Sequence, residues 1–345
     1  MNQVEGQASN VESQRHASQR GRRERWRFGS SCPVVGRTGA SLLGGVTTWG
    51  AVLVVVMGLS SCSLRRIAVN TAGNALASGG AGWASDDDPE LVREALPFAL
   101  KTMESLLAES PRHKGLLLGA ASGFTQYSYA YVQSEADYVE ASDLKAATAM
   151  RQRALKLYLR ARDYGLRGLE VEHPGLRERL TRDLTGAVGE VRSMDEVPLL
   201  YWTAMAWGAA ISLAKDNAEL SADLPITAAL AGRVLALDER FGGGAAHDFF
   251  IAYEGGRPAA AGGSVERARQ AFEKAVQLSG GKRVAPFVSF AETVCLSAQD
   301  RGEFERLLNQ ALAVDVSTPG PDRLANLLAQ RRARWLLSRI DELFI

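Results

Sequence analysis

Over residues 89–343 apolar side chains recur every three to four positions, and no sustained run alternates polar with apolar. That period is the surface spacing of an α-helix, so the chain buries its apolar residues by packing helix on helix. The periodicity predicts helices over about 89–109, 112–133, 143–170, 176–190, 197–215, 224–240, 245–254, 264–279, 284–299, 302–315 and 321–343. Pro111, Pro174, Pro198, Gly242-Gly243-Gly244, Gly255-Gly256-Arg257-Pro258, Gly262-Gly263, Gly280-Gly281 and Pro319-Gly320-Pro321 punctuate them. The connections are short, which favours antiparallel neighbours. Asp88 ahead of Pro89 reads as an N-cap with proline at N1, and Asp86-Asp87-Asp88 suits the positive end of a helix dipole. No EF-hand spacing follows these acids, so calcium is not indicated. Ser264 and Asp300 read as further caps, with Glu303 completing a capping box at the latter.

A repeat shows through this pattern. The second helix of a tetratricopeptide unit carries Ala-x3-aromatic-x2-Ala, where small residues let it nest against a partner. Ala268-x3-Phe272-x2-Ala275 and Ala154-x3-Tyr158-x2-Ala161 fit fully. Ala229-x3-Arg233-x2-Ala236 and Phe304-x3-Leu308-x2-Ala311 fit in part. Ala236, Ala275 and Ala311 lie 39 and 36 residues apart, near the ~34-residue period of such units. The expected fold is all-α: degenerate tetratricopeptide-like antiparallel helix pairs stacked as an α-solenoid over 89–345, ending in a C-terminal helix.

The first sixty residues read as an address. Residues 1–41 are polar and carry seven arginines, and an apolar stretch from Leu42 follows, ending in Leu59-Ser60-Ser61-Cys62. A basic n-region, an apolar h-region and small residues before a cysteine describe a bacterial lipoprotein signal. On that reading 1–61 is a signal peptide with a long basic n-region and a lipobox, and 62–88 is a lipidated tether. Cys62 carries a covalent diacylglycerol and an acyl chain such as palmitate, which together make a stable membrane anchor. The competing reading is a membrane-spanning anchor, but the 18 apolar positions cover only about 27 Å. Ser63 is not the Asp that holds lipoproteins at the inner membrane, which points to the outer membrane. Loss of 1–61 removes seven basic and three acidic residues and leaves a mildly acidic chain.

Chemistry is hard to find. Forty basic residues against 39 acidic ones give no case for nucleic acid. Three cysteines form no metal spacing, and no phosphate loop, nucleophile elbow or zinc-helix motif occurs. Cys295, in an apolar context, reads as core. His113 sits at a turn where exposure is expected, and His173 precedes Pro174 at a helix end that favours its charged form. His247 lies beside an apolar face and reads as structural. No carboxylate pair is placed for acid–base work, so no catalytic residue is assigned and an enzyme is not expected. Two aromatic clusters remain. Phe124, Tyr127 and Tyr131 share a stripe, and Tyr201-Trp202 and Trp207-Gly208 occupy another helix. Such stripes either pack as core or line a cleft for an apolar ligand; Tyr127, Tyr131, Trp202, Trp207 and His247 are the cleft candidates. The basic run Arg331-Arg332-Ala333-Arg334 reads as a solvated face or a partner contact.

The lipobox, Ser63-Leu64-Arg65-Arg66-Ile67-Ala68-Val69-Asn70, Asp86-Asp87-Asp88-Pro89-Glu90-Leu91-Val92, Gly123-Phe124-Thr125-Gln126-Tyr127, Tyr164-Gly165-Leu166 and Trp202-Thr203-Ala204-Met205-Ala206-Trp207-Gly208 occur in an order that resembles one family. It is the T component (TatT) of tripartite ATP-independent periplasmic (TRAP) transporters, and the similarity extends to Asp238-Glu239 and Arg331-Arg332-Ala333-Arg334-Trp335-Leu336-Leu337. The resemblance implies a membrane-tethered, periplasm-facing lipoprotein of the cell envelope that is a homotrimer, docks a periplasmic solute-binding protein and carries a pore or cleft for a hydrophobic ligand. A lipoprotein scaffold for outer-membrane or secretin assembly is the alternative, since such scaffolds also join a lipobox to helical repeats.

Overall fold

The computed structural model describes residues 69–76 and 80–344, and every regular element among the described residues is helical. The first long helix, α1 (Pro89–Glu109), starts where the sequence places it: the Asp88 carboxylate accepts hydrogen bonds from the Glu90 and Leu91 amides. Helix α2 (Lys114–Ser128) is capped by His113, whose Nδ1 accepts from the Leu116 amide, so that histidine is a half-buried cap and not an exposed turn residue. The helix does not stop near 133. It passes through a π turn, Tyr129–Gln133, into α3 (Ser134–Val139). Helix α4 (Leu144–Leu169) follows, capped by Asp143.

The stretch expected as one helix over 176–190 is two, α5 (Leu176–Arg182) and α6 (Leu184–Glu190). Asp183 ends the first and caps the second through the Gly186 amide, a choice a short polar side chain makes easily. Then come α7 (Val197–Leu213), α8 (Leu224–Leu237), α9 (Ala245–Gly255), α10 (Val265–Ser279) and α11 (Ala285–Phe290). A second π turn, Ala291–Cys295, extends α11. Helices α12 (Arg301–Ala313) and α13 (Arg323–Ser338) complete the set.

Packing follows chain order: α1 on α2, α2 on α4, α4 on α7, α7 on α8, α8 on α9, α9 on α10, and so to α13. Small residues permit this. Ala154, Ala161, Ala268 and Ala275 are all fully buried, and Gly165 and Gly168 of α4 leave room for Thr203 and Leu199 of α7. The last long helix departs from an open stack, because α13 also touches α1 and the short helix Gly80–Ala84. Arg323 pairs with Asp87 at 2.9 Å, and Arg331 with Glu135 at 2.7 Å.

The structure departs from the sequence reading at two further places. Part of the segment read as a tether is folded: 69–76 is helical, Leu76 packs against the core around Leu116 and Phe124, and Trp83 packs against Val92 and Tyr131. The basic run is a solvated face only in part, since Arg331 and Arg334 are exposed. Arg332 is largely buried, paired with Asp137 at 3.0 Å and Glu292 at 2.6 Å, and Ala333 is fully buried.

Candidate functional site

The residues singled out from sequence lie in three places. Tyr127 and Tyr131 stand on adjacent turns of α2 and the π turn, ring centroids 5.9 Å apart. The Tyr127 hydroxyl accepts from Arg153 at 3.4 Å. Tyr131 is 5% exposed, packs among Val92, Ala130, Trp83, Leu324 and Leu328, and its hydroxyl has no hydrogen-bond partner among the described residues. Burial, reinforced by Glu90, pushes its phenol up to about 12.

Trp202 and Trp207 belong to the largest core, on α7. Trp202 meets Tyr201 edge-on at 4.9 Å, and Arg162 lies 5.1 Å over the ring of Trp207. Among the described residues the buried Trp207 indole N–H closes no hydrogen bond of normal geometry. Burial raises the carboxyl of Asp223, against the pull of Trp207 and Arg162. Gly208 gives α7 its close approach to Phe249, whose ring a Cβ there would meet at 3.1 Å. Tyr127 packs against this core as well, so it links the two aromatic groups. His247, at the start of α9, is buried, with Nε2 3.2 Å from Glu239 Oε1. Cys62 lies outside the described residues.

Two clefts open elsewhere, and none of these five residues lines them. One, of about 420 Å³, is walled by Phe272, Val276, Phe287, Ala313 and Val314 from α10, α11 and α12 and the residue after it. Phe272 meets Phe287 at 5.6 Å and the fully buried Phe290 at 5.0 Å. The sequence hides this cleft because Phe272 and Val314 come from separate helices; only the Ala-x3-Phe-x2-Ala motif pointed at Phe272. The other cleft, of about 570 Å³, runs along α4 past Lys156, Arg160, Asp163, Tyr164 and Arg167 to Arg177.

Reactive groups are otherwise committed. His173 does more than face a helix end: its Nε2 lies 3.0 Å from the carboxylate of the buried Glu196. Cys295 is buried as expected, and desolvation pushes its thiol up to about 12, far from a nucleophile. Among the described residues no three His, Cys, Asp or Glu side chains come together to hold a metal.

A family model, TRAP transporter T-component, matches residues 85–344. An uncharacterized protein of Treponema pallidum (strain Nichols) is 28% identical over 304 residues, which cover 83% of this chain and 94% of that protein. The matched residues run from just before α1 to just past α13, and so take in both aromatic groups and both clefts. The chain therefore belongs to the TRAP transporter T-component family and is an accessory component of a transporter of the cell envelope.

Proposed function

We propose that this chain is the lipoprotein accessory subunit of a TRAP-type transporter, held by an acylated Cys62 to the periplasm-facing side of a membrane, the outer membrane rather than the inner. It docks a periplasmic solute-binding protein, works as a homotrimer, and receives an apolar ligand between its helices. The family match over the whole helical body carries the transport part of this reading. The ligand part is supported at Tyr127 and Tyr131, where an aromatic pair surrounds a buried hydroxyl with no partner. A polar head on an otherwise apolar molecule supplies what that hydroxyl lacks. Trp202, Trp207 and His247 stand apart from this pair, on α7 and α9, and are proposed as separate ligand contacts.

The reading is tested on the intact lipoprotein. Cys62→Ser should move the protein from the membrane fraction to the soluble one. The wild type should retain the TRAP solute-binding protein of the same bacterium on an affinity column. Palmitate should quench tryptophan emission, since Trp83 packs with Tyr131, and Tyr131→Phe should weaken that response several-fold. A membrane-bound Cys62→Ser variant overturns the anchor, failure to retain the solute-binding protein overturns the docking role, and emission indifferent to palmitate overturns the ligand site.

A further inference from the structure

The chain as a whole is close to neutral, yet one cleft is not. Lys156, Arg160, Arg167 and Arg177 line it against a single lining carboxylate, Asp163. Lys156, Arg160, Asp163 and Arg167 recur along α4 at steps of four, three and four, a straight stripe about 16 Å long on the solvent side of the helix. The carboxylates within reach are already shared. Asp163 accepts from Arg162 at 3.0 Å and from Arg177 at 3.1 Å. Glu104, behind the cleft, is paired with Lys101, lies 3.5 Å from Arg160, and accepts the Tyr164 hydroxyl at 2.8 Å. Two cations stay uncompensated. Among the described residues exposed Lys156 makes no ion pair, and Arg167 has no carboxylate partner, its hydrogen bond going to the Pro111 carbonyl at 3.3 Å.

The arginines are also held in place. Arg160 sits 5.4 Å over the ring of Phe124 and Arg167 5.2 Å over that of Tyr164, and those two rings stack on each other at 6.0 Å. Guanidinium groups fixed on aromatic faces lose little freedom when they take up a carboxylate partner. Excess charge, preset geometry and an open, elongated groove match an acidic stretch of protein better than a compact small anion, which needs enclosure.

We infer that this cleft is a docking surface for an acidic protein segment, with Lys156 and Arg167 as its charge contacts. The chemistry stands on the cleft alone; naming the solute-binding protein as the bearer of that segment rests on the function proposed above.

The test uses the full-length lipoprotein in detergent at low ionic strength and a fluorescein-labelled hexaglutamate peptide, about 20 Å when extended. The wild type should bind it, with anisotropy rising and the affinity falling as salt is added. The double variant Lys156→Glu/Arg167→Glu should bind at least tenfold more weakly, and Lys215→Glu, an exposed reversal far along the chain, should bind like the wild type. Equal affinity in the double variant and the wild type, or no binding by the wild type, overturns the inference. The same three proteins are then offered the solute-binding protein. Retention by the wild type and Lys215→Glu with loss in the double variant assigns the partner. Retention by all three removes the cleft as its dock and leaves the proposed function standing. Retention by none overturns that function, while the peptide result still decides the cleft.

Discussion

The two clefts are built on the same device and present opposite surfaces. Each is walled by a helix that carries Ala-x3-aromatic-x2-Ala, and in each the two alanines are fully buried against a neighbour. In α4 the motif aromatic, Tyr158, is buried too, its hydroxyl donating to Gln133 at 2.7 Å, so the cleft is left to the charged stripe outside it. In α10 the aromatic Phe272 is only half-buried, and with Val276 it forms the wall itself. The motif fixes how closely helices nest. What faces the solvent differs: a charged stripe on α4, and Phe272 with Val276 on α10. One cleft is therefore an extension of the core, and the other is a decorated surface.

That contrast is broken most directly by truncating a wall residue of the apolar cleft. Phe287 is 8% exposed and in edge contact with Phe272. Phe287→Ala should cost about 3–5 kcal/mol in urea unfolding, because a large buried ring leaves a cavity that its neighbours fill only in part. A cost under about 1 kcal/mol would mean that this cleft is no part of the core.

The back of α4 should be nearly as sensitive as its front is tolerant. A Cβ on Gly165 would collide with the Thr203 hydroxyl and come within 3.3 Å of the Thr203 Cα, so α4 or α7 must move. Gly165→Ala should destabilise by about 1–3 kcal/mol despite its better helix propensity. A neutral result would show that the two helices are looser than their contact implies.

The charged cleft has a pH signature of smaller size. Burial pushes the Glu104 carboxyl up, but hydrogen bonds from Lys101 and Tyr164 and the charges of Arg160 and Lys101 outweigh it and hold the group below its ordinary 4.5. The unfolded chain then takes up the proton first as pH falls, so the stabilisation is full above about 4.5 and is lost as pH drops through the lower folded value. Solvent screening keeps it below about 1 kcal/mol. Unfolding midpoints at neutral and acid pH should differ more for the wild type than for Glu104→Gln, and equal differences would remove Glu104 from the account.

Much of this fold was legible because proline, glycine and capping side chains act locally. Asp88, Ser264 and Asp300 each cap the helix that the sequence assigned to them. The break at Asp183 and the two π turns were not legible. One aspartate serves two helices there, and a π turn adds a residue that shifts the apolar phase without interrupting it. The buried Arg332 was misread for another reason: its partners come from separate elements, Glu292 from the π turn after α11 and Asp137 from α3, which α13 meets only after the chain has returned toward its start. The apolar cleft is likewise a product of tertiary packing. The basic stripe on α4 was not read from the sequence, because spacing alone does not separate a solvated face from a cleft whose carboxylates are already spent.

The smallest expected effect bears hardest on the contrast. Lys156→Ala removes a charge from an exposed side chain with no ion pair among the described residues, and α4 keeps or gains helix propensity. Its unfolding free energy should stay within about 0.5 kcal/mol of the wild type. Removing one of several like charges crowded on a stripe also relieves repulsion, so any change should be toward greater stability and should shrink as salt is added. A clear loss of stability would mean that Lys156 has a structural partner and that the charge of this cleft holds the fold together. A neutral or slightly stabilising result leaves four cations lining a groove where the fold does not need them all, and such a surplus is the mark of a surface shaped by something outside the chain.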